Sequence, residues 1–440
     1  MSGLWARKPA RLAGAVTALT ALSVFLAACG SSSPGSNSGQ SGSGQSGSGL
    51  TGAPQGVSGD TITVGLQTPL TGFLASSYGS QVVQAAQARI DLAESDGELP
   101  KGEKIKLVTA DETSVTTGSL SAAQKLIQTD KVYADIVVSS SFYTAYRYAV
   151  QQGIPVLALG IDGPEYADPG NSNLFSASGS GVSDYPTFHG LGSYFKSQGA
   201  TKFCAVAYEG APSSNFGGLQ QVASAKADGL AVPYSAVGLP LGSTNFTSVA
   251  LAMKADGCDA VGTEFAQNGN IALLTALKQD GLKLKASFFV GGYSQAILDD
   301  PAAVQVSQGA AFGSSIEPWS LKTPATEAMQ NALMKFANWT KPNPTNGQVF
   351  GWEATSLFIE GLTQAGTNLS WSNYITKLRA VKNYDTGGLT CPINLGAFGQ
   401  YIEGGYVGDC AWPAIVKGDA FISQTIPIKV TPVPGTANNG

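Results

Sequence analysis

The sequence predicts an α/β protein built as two Rossmann-like lobes, and three observations lead there. From Asp60 onward, short apolar runs alternate with helix-spaced patterns at a steady beat. The alternation restarts after about Ser178, giving two βα series and hence two sheets. Roughly 380 residues follow a low-complexity N-terminal stretch, too many for one ordinary core.

Residues 1–28 read as an export signal, with Arg7, Lys8 and Arg11 ahead of an apolar run from Leu12 to Ala28. The tetrapeptide Leu26-Ala27-Ala28-Cys29 resembles the lipobox of bacterial lipoproteins. That resemblance implies cleavage before Cys29 and a diacylglyceryl thioether on its sulfur. The alternative is an ordinary signal peptide with an incidental cysteine. Residues 29–59 then form a tether that after Cys29 is almost wholly Gly, Ser, Pro and Gln, without a charged residue before Asp60. As a coil of about 30 residues it reaches roughly 30 Å. The chain is expected to be held by lipid on the outer face of a membrane.

In the first series, strands are expected at 61–68, 104–110, 134–138 and 154–160. Helices are expected at 81–93, 120–128 and 142–152. Val82, Val83, Ala86 and Ile90 carry the helical period of the first, and Gly153 is a stop signal after the third. Such alternation calls for a parallel sheet covered on both faces. The second series opens with a helix near 185–198. Strands at 202–208, 231–237, 258–265 and 286–291 follow, with helices at 217–227, 246–256 and 270–280. Residues 317–380 are mostly helical (325–339, 348–365 and 371–381) and are expected to pack back on the first lobe.

Composition narrows the class. A net charge of −5 and a pI near 5.0 exclude the basic stripe that nucleic-acid binding requires. No stretch after Cys29 has the length and apolarity of a membrane-spanning helix. Cys204, Cys258, Cys391 and Cys410 make an even set in an exported chain. Cys204 and Cys258 fall on strands one unit apart, and Cys391 and Cys410 flank a Gly-rich stretch, so 204–258 and 391–410 are the expected disulfides. Four buried free thiols are the alternative. A single histidine, His189, and no CxxC pair leave no metal motif, and none is expected. No nucleophile elbow or phosphate loop occurs. No cofactor and no enzymatic activity are expected. Asp111 and Glu112 read as a surface loop, and His189 as a structural or surface residue in a helix.

In order and spacing, several segments resemble the type I periplasmic binding proteins, more narrowly the branched-chain amino acid and amide solute-binding proteins of ABC importers. They are Thr68-Pro-Leu-Thr-Gly72, Ser77-Tyr-Gly79, Ser121-Ala-Ala-Gln-Lys-Leu126, Ser139-Ser-Ser141, Gly153-Ile-Pro-Val156, Asn215-Phe-Gly-Gly-Leu219, Thr244-Asn-Phe-Thr247 and Gly291-Gly292. The resemblance spans Asp60 to about Lys429. It implies two lobes (60–178 with 317–390, and 179–316 with 391–430) joined by a three-strand hinge around a cleft, with a tail at 431–440. It implies a monomer that captures a small polar organic ligand and hands it to permease subunits. A ligand-sensing ectodomain signalling to a partner receptor is the alternative reading.

For the ligand, Ser139 and Ser140 lie where a strand ends and a helix starts, a place of free amides and positive helix dipole. N-capping is their plain alternative role. The resemblance adds Tyr78 as an overhanging aromatic, Gly160 and Asp162 after the next strand, Phe216 as a lid from lobe 2, and Glu264, Gln267 and Tyr293 at lobe 2 strand ends. The acidic residue with which amino-acid binders of the family hold the ligand ammonium is replaced here by Tyr293. Asp162 places a carboxylate where a hydroxyl would favour an anion. The amino-acid assignment therefore weakens, leaving an amino-acid-like, amide or aromatic acid ligand.

Overall fold

A computed structural model describes residues 54–178, 187–398 and 410–433. Cys29, with the signal and most of the tether, lies outside the described residues.

In the first sheet, β1 (Val57–Ser58) pairs antiparallel with β2 (Thr61–Thr68). Four more strands are parallel to β2: β3 (Lys104–Asp111), β4 (Asp135–Val137), β5 (Val156–Ala158) and β6 (Leu174–Ser176). The parallel order is β3-β2-β4-β5-β6. Ile62, Val64 and Leu66 on one face of β2 and Gly65 and Gln67 on the other are buried, as a strand covered on both faces demands.

A two-residue strand, β7 (Phe188–His189), stands apart and precedes the second sheet. That sheet repeats the design with β8 (Lys202–Tyr208), β9 (Ala231–Leu239), β10 (Ala260–Glu264), β11 (Ala286–Phe289) and β12 (Ala311–Ser314). These run parallel in the order β9-β8-β10-β11-β12. Antiparallel β13 (Cys410–Lys417) and β14 (Ala420–Ser423) finish it. β15 (Ile428–Lys429) pairs with β13, and β16 (Thr431–Pro432) pairs with β7. In both parallel arrays the strand order reverses between the first and third strands, and the crevice at such a reversal is where ligands bind in open α/β sheets.

Both cysteine pairs are joined, Cys204 to Cys258 and Cys391 to Cys410. In the first pair, Cys204 lies in β8 and Cys258 just ahead of β10, the strand beside it, with their Cα atoms 5.9 Å apart. The pair closes a sequence separation of 54 residues. Replacing both cysteines with alanine is expected to cost about 3 kcal/mol, chiefly through a less constrained unfolded chain. Chemical denaturation of the double variant under oxidising conditions checks this, and an unchanged midpoint would refute it.

The helices explain how the late segment joins the first sheet. α1 (Gly79–Asp96) and α2 (Thr116–Gln124) belong to the first series, with α3 (Tyr146–Gln152). α4 (Leu191–Ser197), α5 (Pro212–Ala227), α6 (Thr247–Ala255), α7 (Gln267–Gln279), α8 (Gln295–Leu298) and α9 (Pro301–Ser307) belong to the second. α10 (Pro324–Ala337) and α11 (Asn346–Ala365) lie against α1, and α12 (Trp371–Arg379) lies against α11. A capping box starts α11: the Thr345 hydroxyl accepts from the Gln348 amide, and the Gln348 side chain accepts from the Thr345 amide. Ala354, Leu357, Phe358 and Leu362 of α11 then enter the core of the first sheet.

Two local expectations are corrected. His189 is not helical. It sits in β7, and its Nδ1 lies 2.7 Å from Asp228 Oδ1. The helix begins only at Leu191 because Gly190 turns the chain at φ 135°, outside helical geometry. Glu112 is not on a surface loop: it follows β3 into the interior and is fully buried.

Candidate functional site

The carboxyl ends of both sheets face one cavity of about 710 Å³. From the first sheet come Tyr78 at the start of α1 and Ser140 and Ser141 beyond β4. From the second come Tyr208 at the end of β8, Phe216 on α5, and Glu264 at the end of β10. Both points of strand-order reversal thus open on the same space. One rim is tied directly: Ser76 Oγ donates to Asn268 Oδ1 at 2.9 Å, and the Gln267 amide reaches Ser77 Oγ at 3.4 Å.

Tyr78 Oη and Ser140 Oγ lie 2.6 Å apart, and the Tyr78 ring packs on Phe350 at 5.6 Å. Burial pushes the phenol above its ordinary range. Ser139 does not line the cavity. Its hydroxyl accepts from the Ser141 amide at 2.8 Å, so it shapes the loop that presents Ser140 and Ser141. Gly160 also stays behind the lining, flanked by Leu159 and Ile161, which reach it. Its φ is 75° and a Cβ there would meet Ser176 Oγ at 2.1 Å, so only glycine fits. Asp162 is fully buried within its own lobe, taking the Tyr143 amide at 2.6 Å and the Tyr166 hydroxyl at 3.2 Å. Burial raises its carboxyl to about 7.

Phe216 is half-buried and faces the cavity from the first turns of α5. Gln267 opens α7 at the tied rim and is not among the lining residues. Tyr293 contributes a wall, while its hydroxyl accepts from the Trp319 amide at 2.8 Å and its ring meets Phe421 edge-on. Glu264 is half-buried, with its Oε1 taking the Gln221 side-chain amide, and burial raises it to about 8. Gly217 makes room, since a Cβ there would stand 2.7 Å from the Glu264 carboxyl carbon.

Sequence reasoning missed Glu353 and most of the aromatic wall. Glu353 projects from α11 into the cavity, fully buried, with Oε2 accepting from Ser315 Oγ at 2.9 Å. Burial raises it to about 8. The available signal was a lone acid inside the apolar run 350–359. Phe73, Phe188, Phe265, Phe288 and Phe350 complete an aromatic enclosure. Behind Ser139, buried Glu112 is raised to about 7 by burial, which the hydrogen bonds from Ser139 and Gln67 only partly offset. The Gln67 amide donates to it at 3.3 Å. Among the described residues no cluster of His, Cys, Asp and Glu could hold a metal ion. Among them, too, no helix is long and apolar enough to cross a membrane.

A cavity of this size, walled by rings and dotted with hydroxyls, can enclose a small organic molecule. The family model described as "Periplasmic binding protein" matches residues 61–414. A curated protein of Pseudomonas aeruginosa, an amino acid binding protein, is 32% identical over 121 residues. That match covers 27% of this chain and 32% of the relative, about a third of its length. Among solved structures, a solute-binding protein of an ABC transporter from R. palustris, in complex with benzoate, superposes with TM-score 0.66 at 16% identity, covering 86% of this chain and 99% of that one. A fatty acid ABC transporter substrate-binding protein from Thermomonospora curvata gives 0.67 at 19%, covering 88% and 96%. A branched-chain amino acid ABC transporter protein from Thermus thermophilus with bound valine gives 0.67 at 13%, covering 84% and 96%. These neighbours share the two-sheet fold, and their names describe a solute-binding protein with benzoate, a substrate-binding protein and a transporter protein with bound valine. With the family match running over most of its length, the chain belongs to the periplasmic binding protein family.

Proposed function

We propose that this chain is an extracytoplasmic solute-binding lipoprotein of an ABC importer. Cys29 carries the lipid, and residues 29–59 give the binding domain slack to reach its permease. The lobes comprise 60–178 with 317–390 and 179–316 with 391–430. They close on a hinge around a small organic ligand and present the closed form to the transmembrane subunits. The observation that carries this reading is the single cavity opening on the reversal points of both sheets. The names of the structural neighbours (benzoate, valine, fatty acid) support a small organic solute without choosing among them.

A thermal-shift screen of amino acids, amides, aromatic acids, amines and polyols tests capture. At least one compound is expected to raise the melting temperature, and Phe216→Ala is expected to weaken that compound about ten-fold by removing a ring from the wall. Unchanged affinity in the variant would displace the ligand from this cavity. Anchoring is tested separately by labelling with a radioactive fatty acid, which is expected to mark the chain and to be lost in Cys29→Ser. Equal labelling of the variant would rule out a lipid on Cys29.

A further inference from the structure

The cavity carries acid without base. Glu264 faces it from the end of β10 and Glu353 from α11. No Lys, Arg or His is among its lining residues. The two internal segments outside the described residues, 179–186 and 399–409, contain no Lys, Arg or His either, so they supply no countercharge. One acceptor is also unfilled: Glu353 Oε1, on a fully buried side chain among the lining residues, has no hydrogen-bond partner. A buried acceptor without a donor costs free energy until a ligand donates to it.

We propose that the cavity takes an amphipathic amine: a ligand with an apolar or aromatic body and a protonated amino head. This rests on the solute-capture reading above and names its ligand class. An ammonium offers three donors and no acceptor, matching a site that presents a spare acceptor. Burial holds both carboxyls up at about 8 before a ligand enters. The ammonium favours their ionised form, so it binds with release of protons. It then pairs with a carboxylate in a poorly hydrated space, where charge-assisted hydrogen bonds are strong. Phe216, Phe265 and Phe350 line the cavity and shelter the body. A carboxylate ligand would meet two acids and no cation: ionised, they repel it, and kept protonated, they leave its charge enclosed without a counter-ion.

The test is isothermal titration of the purified chain at neutral pH with three probes sharing one phenylbutyl body: 4-phenylbutylamine, 4-phenylbutan-1-ol and 4-phenylbutyrate. The amine is expected to bind at least about ten-fold tighter than the alcohol, with no detectable binding of the acid. Glu353→Gln and Glu264→Gln are each expected to weaken the amine about ten-fold and leave the alcohol unchanged. Two variants on different elements guard against one failing to fold. The alcohol or acid binding as tightly as the amine overturns the proposal and leaves solute capture standing. So does an amine affinity that neither variant changes. If the probes fail, the screen decides: an amine hit weakened by the variants supports the proposal, and an anionic or neutral hit overturns it. If nothing in the screen binds, solute capture fails and the proposal with it.

Discussion

Raising the pH from 5 to 8 is expected to lower the melting temperature of the ligand-free protein by about 10 °C. Glu112 and Asp162 are held up at about 7, and Glu165, Glu264 and Glu353 at about 8, in each case first by burial. Asp135 too is raised well above the ordinary carboxylate range by burial, with both carboxylate oxygens buried and unpaired. In the unfolded chain such groups titrate near 4. Between about pH 4 and 8 the folded state therefore binds more protons than the unfolded one. Stability is full below that window and falls as pH rises through it. Asp111, Asp228 and Asp259 act in the opposite sense. Burial opposes their ionisation, but hydrogen bonds such as Thr71 to Asp111 outweigh it and lower all three, so their contribution is lost only in stronger acid. The optimum should fall near pH 5. Asp135→Asn imitates the protonated side chain, and is expected to flatten the slope and raise the melting temperature more at pH 8 than at pH 5. Calorimetry across the range decides it; a curve rising toward pH 8 would reverse the sign and sink the argument.

The second large effect concerns the contact between α1 and α11. Gly347 and Gly351 lie one turn apart on α11, where the backbone of α1 crosses. A Cβ on Gly351 would stand 2.3 Å from the Val82 carbonyl oxygen, and one on Gly347 2.3 Å from that of Tyr78. Both obstacles are backbone, which cannot swing aside. Alanine would gain about 1 kcal/mol of helix propensity over glycine. The enforced separation of two helices packed at interior density costs more. Gly351→Ala is expected to lose about 3 kcal/mol net, and Gly351→Val, adding two methyl groups, about 5 kcal/mol or all folding. Urea denaturation of Gly351→Ala checks the smaller change. A midpoint at or above that of the wild type would show that the helices can part without loss.

The strands were legible because a strand covered on both faces is a continuous apolar run bounded by turn residues, a local pattern. Lys202–Tyr208 and Thr61–Thr68 were readable to the residue. Helix ends slipped where one backbone angle decides, as at Gly190. At the site, Tyr78, Ser140, Phe216, Glu264 and Tyr293 reach the cavity lining, whereas Ser139, Gly160, Asp162 and Gln267 do not. Adjacent residues on a strand-end loop face opposite ways, and the sequence carries no sign of which way each turns.

The sequence alone determined the alternating α/β plan, the division into two series and the net negative charge. Each follows from composition or from a period a few residues long. Tertiary structure decided which acids are buried, that Glu264 and Glu353 share one space, and that the late helices cover the first sheet. Burial and proximity join residues far apart in the chain: Glu353 meets Ser315 across 38 residues, and Arg89 meets Ser356 across 267. Whether a carboxylate is solvated or enclosed depends on what the rest of the chain packs over it, and no local window contains that information.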